Sequence, residues 1–313
     1  MNSPQSSQTP TSALAPTPAL PPAPALAPAP ALTPAPATPA LRVPAVTAVF
    51  WIVKALTTGV GETTSDFLVK TYSPVLMVLL AGVVFAGCFF IQVRARRYVP
   101  WRYWLFVTAV AVVGTMVADV THIVLAVPYA VSTPAFAVVL VAVFWLWRRT
   151  EGDLSVHSIL TQRRELFYWA AVLATFALGT ALGDLTAVTF NLGYLASGIM
   201  FAVLFAAPGI GYRLGLPATL SFWAAYVVTR PLGASFADWV AVEHSRGGLA
   251  WGTRLVSAIG LLIIAACVAG LQVAWSRANR SESLVAADAG GPRIGADRIA
   301  PTDNRDGIAS ESD

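Results

Sequence analysis

The stretch LATFALGTALGDLTAV at residues 173–188 is apolar enough to lie in a membrane, yet it carries Asp184 near its end. Hydrophobic residues make up 56% of the 313 residues and charged residues only 12%, whereas a soluble domain usually has about 25% charged residues. This composition is typical of a polytopic membrane protein, so Asp184 is expected at membrane depth. An ionisable residue at that depth is costly and is therefore a functional candidate.

Eight apolar segments have the roughly 20-residue length that a helix needs to cross a bilayer. They cover residues 46–68, 74–93, 103–125, 130–147, 167–189, 193–212, 217–240 and 252–275. Since segments of this length are too long for barrel strands, the predicted fold class is all-α, a polytopic membrane protein with eight transmembrane helices. The links after the even-numbered segments are rich in arginine. The positive-inside rule therefore predicts a bacterial inner (cell) membrane protein with both termini in the cytoplasm.

Four aspartates occupy equivalent places in the odd-numbered segments: Asp66, Asp119, Asp184 and Asp238. A tryptophan lies 15 positions before each aspartate and a glycine five positions before it: Trp51, Trp104, Trp169 and Trp223, and Gly61, Gly114, Gly179 and Gly233. This spacing indicates an internal repeat. The four repeats cover about 45–97, 98–150, 163–213 and 217–276. Each is predicted to be a two-helix hairpin, so that all four enter the membrane in parallel.

The repeat pattern predicts that one face of each odd-numbered helix points inward. At about 100° per residue, the tryptophan, the glycine and the aspartate fall within about 140° of the helical wheel. The glycines, together with Gly183, favour close helix packing through pairs of small residues. The aromatic residues are expected in the cytoplasmic interface belt, with the aspartates about 22 Å away in the outer half of the bilayer. The four aspartates are thus predicted around a common centre.

Three strings carry a family resemblance: KALTTGVGETTSDFL at 54–68, FYWAAVLATFALGTALGDL at 167–185 and FWAAYVVTRPLGASFADW at 222–239. They resemble a bacterial membrane family built of tandem two-helix repeats of unknown function. The second repeat, with YWLFVTAVAVVGTMVADVTH at 103–122, keeps the tryptophan, the glycine and the aspartate but otherwise departs from the pattern. The resemblance covers about residues 45–275, and it implies a fold and a membrane location without an activity.

The inward carboxylates have two explanations. Glu62 and the four aspartates oppose only Lys54 and Arg230 inside the odd-numbered segments, so that five acids face two bases. This excess favours a cation or proton path, and the predicted function is a transporter of a cation or a small solute. In the alternative, the aspartates bond neighbouring helices, and the protein is a non-transporting scaffold or regulatory protein.

Two further site predictions concern single residues. His122 follows Asp119 by three residues on the same helix face and is either a metal ligand or a hydrogen-bonding residue near a helix end. The first and last repeats carry the extra charges, and closure of the ring would bring these repeats together. An interhelical ion pair is therefore predicted between Glu62 and Arg230, with Asp66 as the alternative partner of the arginine.

The sequence predicts no enzyme activity. The GxGD motif of intramembrane aspartyl proteases is absent because position 181 is alanine, and no P-loop, GxSxG or HExxH motif occurs. No cofactor and no nucleic-acid partner is predicted, and the expected partners are the lipid bilayer and a cation. Both cysteines lie in apolar segments and are expected to be buried small hydrophobes.

The two ends of the chain differ from the predicted transmembrane domain at 45–276. Residues 1–44 are rich in proline and alanine and are predicted to form a disordered cytoplasmic tail. Residues 277–313 are polar and glycine-rich and are predicted to be a second disordered tail.

Overall fold

The computed structural model describes residues 40–290, and this part of the chain is all-helical, with no strand. Its eight long helices are α1 (Ala48–Thr71), α2 (Pro74–Val93), α3 (Pro100–Asp119), α4 (Tyr129–Glu151), α5 (Gln162–Asp184), α6 (Tyr194–Arg213), α7 (Ala218–Ala241) and α8 (Thr253–Gly290). Short 3-10 turns lie at Val156–Ser158 and His244–Arg246, and π-helical turns lie at Val120–Val124 and Leu185–Thr189. The predicted tails fall largely outside the described residues.

The helix ends follow local signals in the sequence. The hydroxyls of Thr47 and Thr161 each accept a hydrogen bond of 3.3 Å from the backbone N–H three residues later, which caps α1 and α5. Pro74 and Pro100 stand in the first turns of α2 and α3, where a missing N–H costs no helical bond. Helix α8 continues to Gly290 instead of ending at 275, because alanine, arginine, serine and glutamate lower the hydropathy without breaking a helix.

By length and composition, six of the eight helices are apolar enough to cross a membrane, namely α2 to α6 and α8. For α3 and α5 the span includes the π-helical turn that follows the helix. Several apolar helices of this length indicate a multi-pass membrane protein. Helices α1 and α7 are not among these six, yet about half of their residues are buried. Four of their charged side chains, those of Lys54, Glu62, Arg230 and Asp238, are buried inside the protein.

The four odd-numbered helices form a closed ring. Helix α1 packs against α3 and α7, and α5 packs against the same two helices from the other side. The predicted contact between the first and last repeats is therefore confirmed.

The even-numbered helices pack outside this ring in an unexpected order. Helix α2 contacts α3 more extensively than α1, α4 lies on α5, α6 on α7, and α8 returns to α1. The two helices of one repeat are thus neighbours in the chain but not the principal packing partners. Each repeat instead covers the inner helix of the next one.

Aromatic rings fill one end of the ring of helices. Each aromatic residue that precedes a repeat tryptophan contacts the tryptophan of the next repeat, and the centroid distances are 5.8 Å for Phe50–Trp104, 5.3 Å for Tyr103–Trp169, 6.0 Å for Tyr168–Trp223 and 5.7 Å for Phe222–Trp51. We call these eight residues the aromatic collar. All except Trp51 are buried. Their rings face one another and close the bundle at this end, which confirms that the tryptophan side of each inner helix points inward.

Candidate functional site: a buried charge network inside the ring

The repeat glycines set the distance between neighbouring inner helices. Each one lies against the residue that stands eight positions before the aspartate of the next repeat: Gly61 on Ala111, Gly114 on Phe176, Gly179 on Arg230 and Gly233 on Thr58. A methyl group at any of these four glycines would come closer than 3.0 Å to the facing helix. Gly183 is less constrained, since a methyl group added there would lie 3.8 Å from the nearest atoms, which belong to Pro231. The four-fold pattern confirms that the sequence repeat is also a repeat of contacts.

The predicted ion pair between Glu62 and Arg230 lies inside the ring and is confirmed. Nη2 of Arg230 donates to a carboxylate oxygen of Glu62. The side chain of Arg230 has no exposed surface, and Glu62 is 4% exposed. The first and last repeats are therefore joined by a buried charge pair.

The guanidinium of Arg230 also contacts the other inner helices. It donates to the hydroxyls of Thr115 on α3 and Thr180 on α5, the latter at 2.7 Å, and to the backbone carbonyl of Thr58 on α1 at 3.1 Å. Sequence reasoning did not identify these acceptors. The signal was available, because Thr115 and Thr180 stand four positions before their aspartates, in the place that Glu62 occupies in the first repeat. One arginine thus binds polar groups from all three other inner helices.

Lys54 lies on the collar side of this arginine and does not pair with an acid. Its side chain is fully buried, and Nζ lies 4.2 Å from the ring centroid of Phe176 and 4.3 Å from that of Tyr226. Among the described residues the amine has no hydrogen-bond partner. The faces of aromatic rings attract cations, so these two rings take the place of the acidic partner that the sequence would have suggested.

The four aspartates lie beyond Glu62, on the side away from the collar. Asp66 forms an ion pair of 2.5 Å with Lys70, and Asp119 accepts a hydrogen bond of 3.2 Å from the hydroxyl of Ser65. Asp184 is half-buried and Asp238 is buried. We call Glu62 and the four aspartates the acid cluster.

The acid cluster is not a preformed metal site. Within residues 40–290, no three His, Cys, Asp or Glu side chains are arranged to hold a metal ion. Both ring nitrogens of His122 are engaged, Nδ1 with the carbonyl of Val127 at 2.8 Å and Nε2 with the hydroxyl of Ser132 at 3.3 Å. This geometry matches the hydrogen-bonding alternative for His122, and nothing near it supports the metal role.

The helices change geometry directly after two of the aspartates. A π-helical turn follows Asp119, and another follows Asp184. Such turns are rare and are frequently found at functional sites. The first and last repeats lack this turn but carry the charged pair, so the four repeats divide into two adjacent pairs with different features.

A second polar cluster lies at the collar end and was not predicted. Glu165 is fully buried and accepts hydrogen bonds from Arg42 at 2.7 Å and Gln92 at 2.8 Å. The backbone N–H of Arg42 also donates to the carbonyl of Ile159 at 3.1 Å. Arg42 belongs to the predicted tail at 1–44 and Glu165 to an arginine-rich link, so no sequence pattern joined them. The cluster holds the segment before α1 against the base of the ring.

These features define the class of protein: a chain of tandem repeats that is all-helical over residues 40–290, with several helices apolar enough to cross a membrane. The repeat family described as "Repeat of Unknown Function (DUF347)" matches residues 49–98, 102–153, 167–213 and 221–281, and the chain belongs to this family. The match confirms the resemblance to a tandem-repeat family of unknown function. No curated protein and no solved structure matches the chain significantly.

Proposed function

We propose that the protein is an inner-membrane carrier for a cation, with the proton included, and that its central element is the Glu62–Arg230 pair. The observation that carries this proposal is the burial of the pair among polar groups from every inner helix. Buried ion pairs can often be replaced by apolar residues without loss of stability. Burying charges at membrane depth costs free energy of desolvation, so a charge pair that is present there is a candidate for function.

The geometry suggests how a cation would act on the ring. The acid cluster supplies excess negative charge at one end, which raises the local concentration of cations. A cation or proton that reaches Glu62 competes with Arg230 for the carboxylate. Loss of that pair frees the guanidinium and weakens its bonds to Thr115 and Thr180, so that the inner helices can separate.

The filled centre favours a carrier over a permanently open channel. Between the acid cluster and the collar, the axis is occupied by Arg230, Lys54 and the ring of Phe176. A fixed arginine repels cations in a narrow pore. The same packing favours one alternative, a non-transporting scaffold in which the charges only fix the helices, and the variants below distinguish the two.

Removing charge from the acid cluster is expected to stop transport. Asp66→Asn, Asp119→Asn, Asp184→Asn and Asp238→Asn each keep the size of the side chain and its hydrogen bonding but remove the attraction for a cation. Protein reconstituted in liposomes should lose uptake of protons or divalent metal ions in each variant, while it still inserts and folds. Asp153→Asn, in the link after α4, is the matched control and should transport normally. Normal transport by all four cluster variants would favour the scaffold.

The orientation in the membrane is expected to place the collar end in the cytoplasm, because the arginine-rich links lie there. After replacement of Cys88 and Cys267 by alanine, single cysteines can be introduced as Arg96→Cys and Ser245→Cys, both at exposed positions. A thiol reagent that does not cross membranes should label position 245 in intact cells. It should label position 96 only after the inner face is opened. The reverse pattern would contradict this orientation.

A further inference from the structure

A cavity of about 540 Å³ lies at the collar end, away from the acid cluster. It is formed by the start of α1, the end of α6, the start of α7 and the link between α4 and α5. Aromatic rings of Trp51, Phe205 and Phe222 form part of the wall, and His157, Thr219 and Ser221 supply polar groups. Pockets of roughly 300–1,000 Å³ with apolar walls and a few polar groups are typical of small-molecule sites.

The walls of this cavity are held in place by specific contacts. The ring of Trp51 lies 5.5 Å from that of Phe205 and 5.7 Å from that of Phe222. The link that carries His157 is folded around Asp153, whose carboxylate accepts bonds from the N–H of Ser155 at 2.7 Å and the hydroxyl of Ser158 at 2.8 Å. The cavity is therefore built by ordered elements from three repeats.

Ser221 is the observation that points to a ligand. The residue is only 8% exposed and lines the cavity, yet its hydroxyl has no hydrogen-bond partner among the described residues. A buried hydroxyl without a partner is destabilising. Serine side chains move between staggered rotamers, and in a rotamer that turns the hydroxyl towards the cavity a bound donor or acceptor would satisfy it.

The composition of the wall defines the class of ligand. Among the residues that the structure describes, none that lines the cavity is Lys, Arg, Asp or Glu, so an ionic ligand would lose its hydration without gaining an opposite charge. Aromatic walls favour stacking with a flat ring. We propose that this cavity binds an uncharged aromatic small molecule, which stacks among Trp51, Phe205 and Phe222 and hydrogen-bonds Ser221. The site is separate from the proposed cation path and does not depend on it.

The experiment fills the cavity and measures binding of one probe, N-phenyl-1-naphthylamine, an uncharged aromatic amine that fluoresces when it leaves water. Gly209 lines the cavity, and a Cβ atom added there meets no atom within 4 Å, so Gly209→Leu should fill the space without disturbing the helix. Gly82→Leu is the matched control, because Gly82 lies on α2 with equally open space outside this cavity. Titrations use protein in lipid nanodiscs, with empty nanodiscs as the background.

Wild type and Gly82→Leu are expected to show saturable binding above the background, and Gly209→Leu to lose it. Ser221→Ala, which removes only the hydroxyl, should weaken binding by about two- to tenfold, the amount typical of one hydrogen bond. If Gly209→Leu does not fold, Ala206→Leu at the same wall provides the filled variant. Binding of the probe by lipid only, or equal binding by the filled variant and Gly82→Leu, would overturn the proposal.

Discussion

Replacement of Arg230 by methionine is expected to lower the free energy of unfolding by about 3–5 kcal/mol, because it leaves the carboxylate of Glu62 buried without a counter-charge. The hydroxyls of Thr115 and Thr180 also lose the donor that they share. Glu62→Leu should be costly for the same reason, since it leaves the guanidinium without its acid. Unfolding in mixed micelles, followed by tryptophan fluorescence, measures both effects.

The double variant Glu62→Leu/Arg230→Met separates stability from function. Because both charges are removed together, most of the lost stability should return. Transport in liposomes should stay at the background level, since the cation has no carboxylate for which to compete. A double variant that is stable and still transports would refute the role proposed for the pair. Additive loss of stability in the double variant would mean that the two residues do not interact.

The second large effect is expected at the repeat glycines. Gly61→Ala would bring a methyl group against the backbone of Ala111, and Gly233→Ala would bring one to 2.9 Å from the carbonyl oxygen of Ala55. Overpacking of this kind costs about 1–3 kcal/mol in a tight core. Each variant should therefore lower the unfolding free energy by that amount and reduce the yield of folded protein.

Two other glycines provide the comparison. Gly82→Ala on α2 meets no neighbouring atom and should stabilise its helix by up to about 1 kcal/mol, because alanine has the higher helix propensity. Gly183→Ala faces Pro231 at 3.8 Å and should have a much smaller effect than Gly61→Ala. Equal effects at Gly61, Gly183 and Gly82 would show that the repeat glycines do not control the spacing of the helices.

The repeat made much of the inner ring predictable. Equal spacing of tryptophan, glycine and aspartate in four segments fixed which face of each odd-numbered helix points inward. Closure of the ring then limited the partners of Arg230, and Glu62 stood at the nearest depth with an opposite charge. The glycines were identified as packing positions for the physical reason that the structure shows, close approach of two backbones.

The outer helices and the collar-end cluster were not predictable in the same way. Helix α2 is apolar around nearly its whole surface, so no polar face records whether it covers α1 or α3. The aromatic neighbours of Lys54 are on α5 and α7, far from it in the chain. The sequence around a lysine does not indicate whether its partner in the fold is an acid or an aromatic ring. The contact between Arg42 and Glu165 depends on the path of an irregular segment, which periodicity does not describe.

The order in which the outer helices cover the inner ones has a consequence for synthesis of the chain. Helix α1 emerges from the ribosome first, but the helix that covers its outer side is α8, which emerges last. Until translation is nearly complete, α1 has neither its outer cover nor its neighbour α7, and Glu62 has no arginine. Glu62 therefore stays unpaired during most of synthesis, and a protein truncated before α7 cannot form the closed ring of inner helices or the Glu62–Arg230 pair.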